Sequence, residues 1–221
     1  MSEYASHEVI DRITALLPGF AERAQETEDL RKVHPQNIAE LDEAGFFKLC
    51  QPAQWGGYEA DMETFYTAVK TIATACPSTG WCASILGIHN WHLALFPQQA
   101  QEDVWGEDPT VRISSSYAPM GAAKKTADGL LLNGKWSWSS GSDHADWVFV
   151  GGPVLDDNGK MVDFCTFLVE KSQYEILDVW HVAGLKGTGS NDILVKDALI
   201  PEHRVLSFGL WGKGLRYLNG M

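Results

Sequence analysis

The sequence lacks the features of a membrane-spanning or exported protein. No stretch of the 221 residues stays apolar for the roughly 18 residues that a transmembrane helix needs. The N-terminus carries Glu3, His7 and Glu8 where a signal peptide would have a basic end and an apolar run. We therefore expect a soluble, cytoplasmic protein that does not contact a membrane.

Basic residues and cysteines are also scarce. The chain has 17 Lys and Arg against 29 Asp and Glu, a net charge of -12 that repels duplex nucleic acid, so no nucleic-acid partner is expected. None of the four cysteines (Cys50, Cys76, Cys82 and Cys165) forms a C-x-x-C pair. They are expected to be reduced, buried thiols.

Common catalytic motifs are missing as well. Residues 184–190 (GLKGTGS) lack the Gly-Lys-Ser/Thr ending of a phosphate loop and precede a strand, so a tight turn is the better interpretation. No G-x-S-x-G exists, and Ser140 lies too close in sequence to Asp143 and His144 for a hydrolase triad. His89 and His92 have no nearby carboxylate to complete a metal site; they indicate proton handling, or core histidines with satisfied hydrogen bonds.

The spacing of apolar residues divides the chain into a helical and a strand-rich part. Helices are predicted over residues 10–24, which Pro18 could kink or split, after Pro35, after the capping residue Asp61, and over residues 79–96 and 97–105. Six strands are predicted beyond residue 109, over residues 111–117, 129–138, 147–154, 164–169, 174–180 and 192–199.

This pattern predicts an α+β protein. The predicted units are an N-terminal α-helical domain over residues 1–109 and a middle antiparallel β-barrel domain over residues 110–208. Residues 209–221 are rich in glycine and aromatic residues, and we expect a divergent tail or the truncated start of a C-terminal domain there.

Two tracts combine tryptophan, serine, glycine and histidine at high density. One joins residues 78–81 (STGW) to residues 89–92 (HNWH), and the other is residues 136–147 (WSWSSGSDHADW). A planar aromatic ligand with a polar edge needs this mixture, because indoles supply flat walls and hydroxyls bond ring heteroatoms. The working hypothesis is a flavin site.

Strand alternation would place Trp136, Trp138 and Ser140 on one face. That face is either a ligand wall with a hydroxyl edge or a barrel core that uses two tryptophans, and the pattern alone favours neither. Residues 114–117 (SSSY) form a second polar edge, for which a solvated strand is the simpler explanation.

Longer tracts resemble the acyl-CoA dehydrogenase superfamily. The superfamily has a glycine turn, a strand and a D-x-x-(V/I)-P exit, and similar features occur here in residues 184–191 followed by residues 195–201 (VKDALIP). Lys186 stands in place of the usual arginine. Within the superfamily, the chain most resembles the oxygenase components of two-component flavin-dependent phenol hydroxylases that act on a phenolic secosteroid in bacterial steroid degradation. The tracts that carry this resemblance are residues 51–57, 78–81, 89–96, 112–120 and 138–144.

The resemblance implies a fold and an assembly. The fold is an N-terminal helical domain, a middle β-barrel and a C-terminal four-helix bundle that builds a homotetramer. Residues 209–221 do not resemble the start of that bundle, so we expect it to be absent, which makes activity and tetramer formation of this chain alone doubtful.

The resemblance also implies a reaction. A separate NAD(P)H-flavin reductase supplies reduced FMN, with FADH2 as the alternative, and one atom of O2 is added ortho to a phenol hydroxyl. The flavin-contacting positions of the family match Trp81, Ser115, Ser116, Tyr117, Trp138, Ser139 and Ser140. Ser140 would bond flavin N5, and His89, with an ordinary pKa near working pH, would act as base on the phenol. No metal is implied.

Two other functions remain open at this point. The chain could be an acyl-CoA dehydrogenase with bound FAD, whose base lies in the part that this chain lacks. It could also be an inactive truncated fragment whose exposed apolar surface favours aggregation or a partner.

Overall fold

The computed structural model describes residues 7–208, so the predicted tail over residues 209–221 lies outside the described residues. Six α-helices come first: α1 (Glu8–Glu22), α2 (Ala24–Leu30), α3 (Pro35–Glu43), α4 (Met62–Ala75), α5 (Pro77–Leu93) and α6 (Gln98–Trp105). Eight strands follow: β1 (Ile113–Ser116), β2 (Gly121–Thr126), β3 (Gly129–Ser139), β4 (Trp147–Leu155), β5 (Met161–Glu170), β6 (Tyr174–Leu177), β7 (Asn191–Ile200) and β8 (Val205–Ser207).

The helix boundaries follow local sequence signals. Pro35 opens α3, where a missing N–H costs nothing, and the Asp61 carboxylate caps α4 by accepting from the Thr64 amide at 2.7 Å. Gly45 follows α3 with a φ of 82°, a conformation that glycine adopts without strain. Pro18 does not split α1, which continues to Glu22.

The strands form one sheet that is mostly antiparallel, as predicted, but two of its pairings are parallel, which was not predicted. Its order is β6-β7-β3-β2-β4-β5-β8, and β1 pairs with β4 outside this path. Five pairings are antiparallel, but β4 runs parallel to both β1 and β2. The connections from β1 and β2 to β4 are long enough to bring the chain back in the same direction, which local alternation does not reveal.

Two strands were not predicted. The sequence of β2, GAAKKT, has no alternating apolar pattern, yet β2 forms a hairpin with β3. The three-residue strand β8 is shorter than a window that shows any period, and it pairs with β5 at residues 165–167.

Three apolar clusters hold these elements together. One lies among α1 to α5, and a second fills the interior of the sheet. The third joins the two parts, because Leu93, Phe96 and Trp105 from the helical part pack with Phe149 and Leu168 from the sheet. Each of these side chains is nearly or fully buried, and burying one of this size contributes roughly 1.5–3 kcal/mol. This shared core fixes α5 against β1 and β4.

Candidate functional site

Helix α5 brings one of the two polar-aromatic tracts against the sheet. Most of its side chains are buried, so it runs through the core, while Trp81 and Trp91 remain 50% and 42% exposed. Gly80 allows its close contact with α4, since a Cβ there would lie 2.6 Å from the Cβ of Ala73. The helix therefore presents the Trp81 indole and two buried histidines to the surroundings of β1 and β3.

His89 is held in one tautomer. Its Nδ1 lies 2.7 Å from the carbonyl oxygen of Ile113 in β1, and a carbonyl can only accept, so Nδ1 carries the proton and Nε2 is the basic nitrogen. Burial lowers the pKa of His89 to about 4, which the bond to Ile113 only partly opposes. The expectation that this pKa lies near working pH is wrong, because the ring is removed from water and no carboxylate compensates.

His92 and Tyr117 form a second polar contact beside His89. The Tyr117 hydroxyl lies 2.7 Å from Nδ1 of His92. Burial lowers the pKa of His92 to about 3 and raises the pKa of Tyr117, so both groups are neutral at pH 7. The His92 ring lies 4.6 Å from the Phe149 ring and the His89 ring lies 5.4 Å from it. The two histidines thus sit in an aromatic, low-dielectric pocket.

The serines of β1 are buried rather than solvated, contrary to the simpler expectation for this edge. Ser114 accepts a hydrogen bond from Ser139 at 3.2 Å, and Ser116 donates to the carbonyl of Ser137 at 2.6 Å. Ser115 is 8% exposed. These contacts satisfy the hydroxyls and tie β1 to the end of β3. Ser139 is fully buried, and its hydroxyl is engaged with Ser114.

Trp136 and Trp138 do not share a face, so the predicted alternation is wrong here. Trp136 is fully buried inside the sheet and donates to the carbonyl of Gly151 at 2.7 Å. Trp138 is 64% exposed, with a φ of 69°. The pairing with β7 shifts between Trp136 and Ser139, which marks a bulge, and the extra residue turns Trp138 outward.

Trp81 and Ser140 connect the two tracts. The indole N–H of Trp81 donates to the Ser140 hydroxyl at 2.9 Å, although 59 residues separate them. Ser140 is also 2.7 Å from the Ser190 hydroxyl, and Ser190 is 2.7 Å from that of Thr188. All three hydroxyls are buried. Sequence reasoning missed Thr188 and Ser190 as site residues; the hydroxyls in the GTGS turn were their only signal.

The turn that carries Thr188 is fixed to the helical part by Glu28. The Glu28 carboxylate accepts from the Lys186 amide at 2.9 Å and the Gly187 amide at 3.2 Å, and also from the Ser78 hydroxyl. Gly187 permits this approach, since a Cβ there would lie 2.4 Å from Cγ2 of Thr27. The turn therefore attaches the strand-rich part to α2, which is consistent with the absence of a phosphate-loop ending.

Other candidates serve structural roles. His144 Nε2 lies 2.8 Å from the carbonyl of Val33, which suits a packing residue rather than a relay. All four cysteines are free and buried, and burial raises the pKa of Cys50 and Cys165 to about 12. Among residues 7–208 no group of three or more metal-binding side chains is found, and none of the described helices is long and apolar enough to cross a membrane.

The arrangement fits a flavin ring. The indoles of Trp81 and Trp138 are at least half exposed, and the buried hydroxyl of Ser140 lies beside them. The site therefore combines apolar area with a directed polar group. The Trp138 backbone lies next to the Ser116–Ser137 contact, so β1, β3 and α5 meet there. This combination matches the flat faces and polar edge of an isoalloxazine.

Comparisons with known proteins agree with this geometry. Residues 13–108 match the family described as acyl-CoA dehydrogenase, N-terminal domain. The chain is 60% identical over 199 residues to the flavin-dependent monooxygenase oxygenase subunit HsaA of Rhodococcus jostii (strain RHA1), covering 90% of this chain and 52% of that protein. It is 38% identical over 201 residues to the oxygenase component of the FADH2-dependent resorcinol hydroxylase of Rhizobium sp. (strain MTP-10005), with coverages of 90% and 49%.

The fold comparison gives the same family. The crystal structure of 3-HSA hydroxylase from Rhodococcus sp. RHA1 superimposes with a TM-score of 0.92 at 59% identity, covering 94% of this chain and 54% of that one. The chain thus spans about half the length of the relatives that it matches. The predicted resemblance and the predicted succession of helices and sheet are confirmed. Residues 13–108 thus carry the N-terminal domain of the acyl-CoA dehydrogenase family, and over 90% of its length the chain is similar to an oxygenase subunit of a flavin-dependent monooxygenase.

Proposed function

We propose that this chain carries flavin- and substrate-binding residues of an oxygenase component that uses reduced flavin and O2 to hydroxylate a phenol ortho to its hydroxyl group. The observation that supports this most is the 2.9 Å hydrogen bond from Trp81 to Ser140, which joins the two tracts that a flavin site would need. The oxygenase relatives support the same reaction class, and this chain spans about half of their length.

The flavin would be held by residues of α5, β1 and β3. Trp81 and Trp138 offer indole faces, and Ser140 offers its hydroxyl to N5. The polar edge would be lined by Ser115, Ser116 and Tyr117, and the fully buried Ser139 would support it through its hydrogen bond to Ser114. The chemistry that reduced flavin would supply when bound is its reaction with O2, which provides the oxygen atom that is added to the phenol. The chain contributes by fixing the ring and by excluding water around it.

His89 would contact the phenol. Its proton is held on Nδ1 by Ile113, so Nε2 can accept a hydrogen bond from the substrate hydroxyl. With a pKa of about 4, His89 stays neutral and acts as a hydrogen-bond acceptor more than as a strong base. Accepting that bond raises the electron density at the ortho carbon, where the oxygen is added.

The finer features are proposals from resemblance. FMN is preferred over FAD, although the resorcinol hydroxylase relative is named as FADH2-dependent. A separate NAD(P)H-flavin reductase would provide the reduced cofactor, and a phenolic secosteroid is the proposed substrate. The proposed assembly is a homotetramer, and the proposed location is the cytoplasm.

The test is product analysis with labelled oxygen. The protein is mixed with a flavin reductase, NADH, FMN or FAD, and a panel of phenols under 18O2, and products are analysed by mass spectrometry. Incorporation of one 18O atom ortho to the phenol hydroxyl is expected. No labelled product from any phenol, together with bleaching of bound oxidised flavin by an acyl-CoA, would favour the dehydrogenase function instead.

A further inference from the structure

Four groups form a continuous hydrogen-bond chain behind the proposed flavin face. The chain runs from the Trp81 indole to the hydroxyls of Ser140, Ser190 and Thr188, with successive distances of 2.9, 2.7 and 2.7 Å. It ends at the carbonyl of Leu185, which lies 2.9 Å from the Thr188 hydroxyl. The three hydroxyls are almost completely shielded from water, at 6%, 4% and 2% exposure.

The carbonyl end of the chain favours one direction for its protons. An indole N–H can only donate and a carbonyl can only accept, whereas each hydroxyl has one proton to give. When the Thr188 hydroxyl donates to the Leu185 carbonyl, it can only accept from Ser190. The Ser190 hydroxyl then donates to Thr188, and the Ser140 hydroxyl donates to Ser190. Every proton then has a protein acceptor, and Ser140 retains one free lone pair.

The reverse direction is less favourable in the protein alone. Thr188 would donate to Ser190, and Ser190 to Ser140, so the Ser140 proton would point outward without a protein acceptor. The Leu185 carbonyl would keep the donation from the Trp180 indole at 3.0 Å but lose that of Thr188. One buried hydrogen bond is lost in this arrangement, and buried polar groups favour the arrangement that satisfies them all.

We propose that Thr188 and Ser190 are positioning residues that turn the Ser140 proton inward, so that Ser140 presents an acceptor to the ligand. This inference rests on the proposed function, in which Ser140 faces flavin N5. Reduced flavin carries an N–H at N5 and fits such an acceptor directly. Oxidised flavin has a bare nitrogen there, and bonding it requires reversal of all three hydroxyls. The chain therefore favours reduced over oxidised flavin.

The position of Thr188 is fixed independently of any ligand. Its carbonyl accepts from the Gly141 amide at 2.9 Å and from the Cys82 thiol at 3.3 Å. Glu28 holds the two preceding amides. The hydroxyl chain is thus built into the contact between the turn, α5 and the end of β3.

The test compares dissociation constants for reduced FMN, measured anaerobically, and oxidised FMN, in the protein and its variants. Thr188→Val removes the hydroxyl that accepts from Ser190, so Ser190 can donate to Ser140 instead and the Ser140 proton is free to turn outward. The ratio of the oxidised to the reduced dissociation constant is expected to fall roughly 5-fold, the value of one neutral hydrogen bond. Thr188→Ser keeps the hydroxyl and should keep the wild-type ratio.

Ser190→Ala breaks the chain without adding bulk and should lower the ratio similarly. Ser172→Ala, in the exposed turn between β5 and β6, is the matched control with no expected change. A wild-type ratio in both Thr188→Val and Ser190→Ala would overturn the inference, as would equal weakening of both flavin forms. Wild-type protein that binds neither form would contradict the proposed function itself, and the inference with it.

Discussion

The Nδ1 atom of His89 lies 2.7 Å from the carbonyl oxygen of Ile113, so a strand of the sheet determines the tautomer of a histidine on helix α5. The carbonyl holds the proton on Nδ1, and the buried surroundings keep the ring neutral. Nε2 is left as an acceptor of fixed direction. A free histidine would exchange between tautomers and would be partly protonated at pH 6 to 7.

Replacement of His89 should separate the roles of its two ring nitrogens. His89→Asn places an amide near the Nδ1 position and lacks the Nε2 acceptor, whereas the longer side chain introduced by His89→Gln can extend its amide oxygen toward the Nε2 position. We expect His89→Asn to slow hydroxylation by about 10²-fold, and His89→Gln by less, with little change in the preceding reaction of bound reduced flavin with O2. Stopped-flow absorbance measures both steps. Equal slowing of the two steps would remove His89 from substrate activation.

The low pKa of His89 should also appear in stability. Its folded pKa of about 4 lies below the ordinary value of 6.5, so the unfolded chain binds the proton more readily between these limits. Stability is therefore full above pH 6.5 and falls as the pH drops toward 4. Between pH 7.5 and 5.0, wild type should lose roughly 2 kcal/mol more unfolding free energy than His89→Asn. Urea denaturation at both pH values checks this, and identical losses would contradict it.

Ser140→Ala should lower the affinity for reduced flavin and increase the release of H2O2. The variant removes the hydroxyl proposed to contact N5, a bond worth roughly 1 kcal/mol net and more where water is excluded. We expect reduced flavin to bind several-fold more weakly and more H2O2 to be released per NADH consumed. Anaerobic titration and a peroxide assay measure these quantities, with Ser172→Ala as control. Wild-type affinity and peroxide yield in Ser140→Ala would place N5 elsewhere.

Trp138 should show a conflict between stability and binding. It has a φ of 69°, which costs a residue with a side chain about 1–3 kcal/mol, and its ring is mostly exposed. Trp138→Gly is expected to gain about 1 kcal/mol in unfolding free energy while weakening flavin binding. Trp138→Phe keeps both the strain and an aromatic face, so it should change neither quantity strongly. Chemical denaturation and flavin titration test both, and a destabilised Trp138→Gly would show that the ring packs more than its exposure indicates.

The close approach of the turn to α2 can be tested with a destabilising substitution and a second substitution that should restore part of the stability. Gly187→Ala puts a Cβ 2.4 Å from Cγ2 of Thr27, and overpacking of this kind typically costs about 1–3 kcal/mol. The shift should also move Thr188 and weaken flavin binding. Adding Thr27→Ser removes the clashing methyl and keeps the hydroxyl that accepts from the His34 amide, so it should recover part of the loss. No recovery in the double variant would show that the nearby backbone oxygen of Thr27 is the main obstacle.

Much of the architecture was predictable from local sequence. The positions of α3 and α4 followed from Pro35 and Asp61, because capping and fixed φ act within one helical turn. The positions of six of the eight strands followed from alternation and turn residues, whereas β2, β8 and the parallel pairings of β4 did not. The family tracts were visible because they retain several residues in fixed order.

The chemistry of the site was decided by tertiary structure. The sequence by itself determined that indoles, hydroxyls and histidines are concentrated in two tracts, and that the chain changes from helices to strands near residue 109. Only the folded chain turned Trp138 outward through a bulge, lowered the pKa of His89, and joined Ser140 to Ser190. The reason is physical: the tautomer and pKa of His89 depend on burial and on a partner 24 residues away, and the Ser140 hydroxyl depends on a partner 50 residues away. Local periodicity carries no information about such contacts.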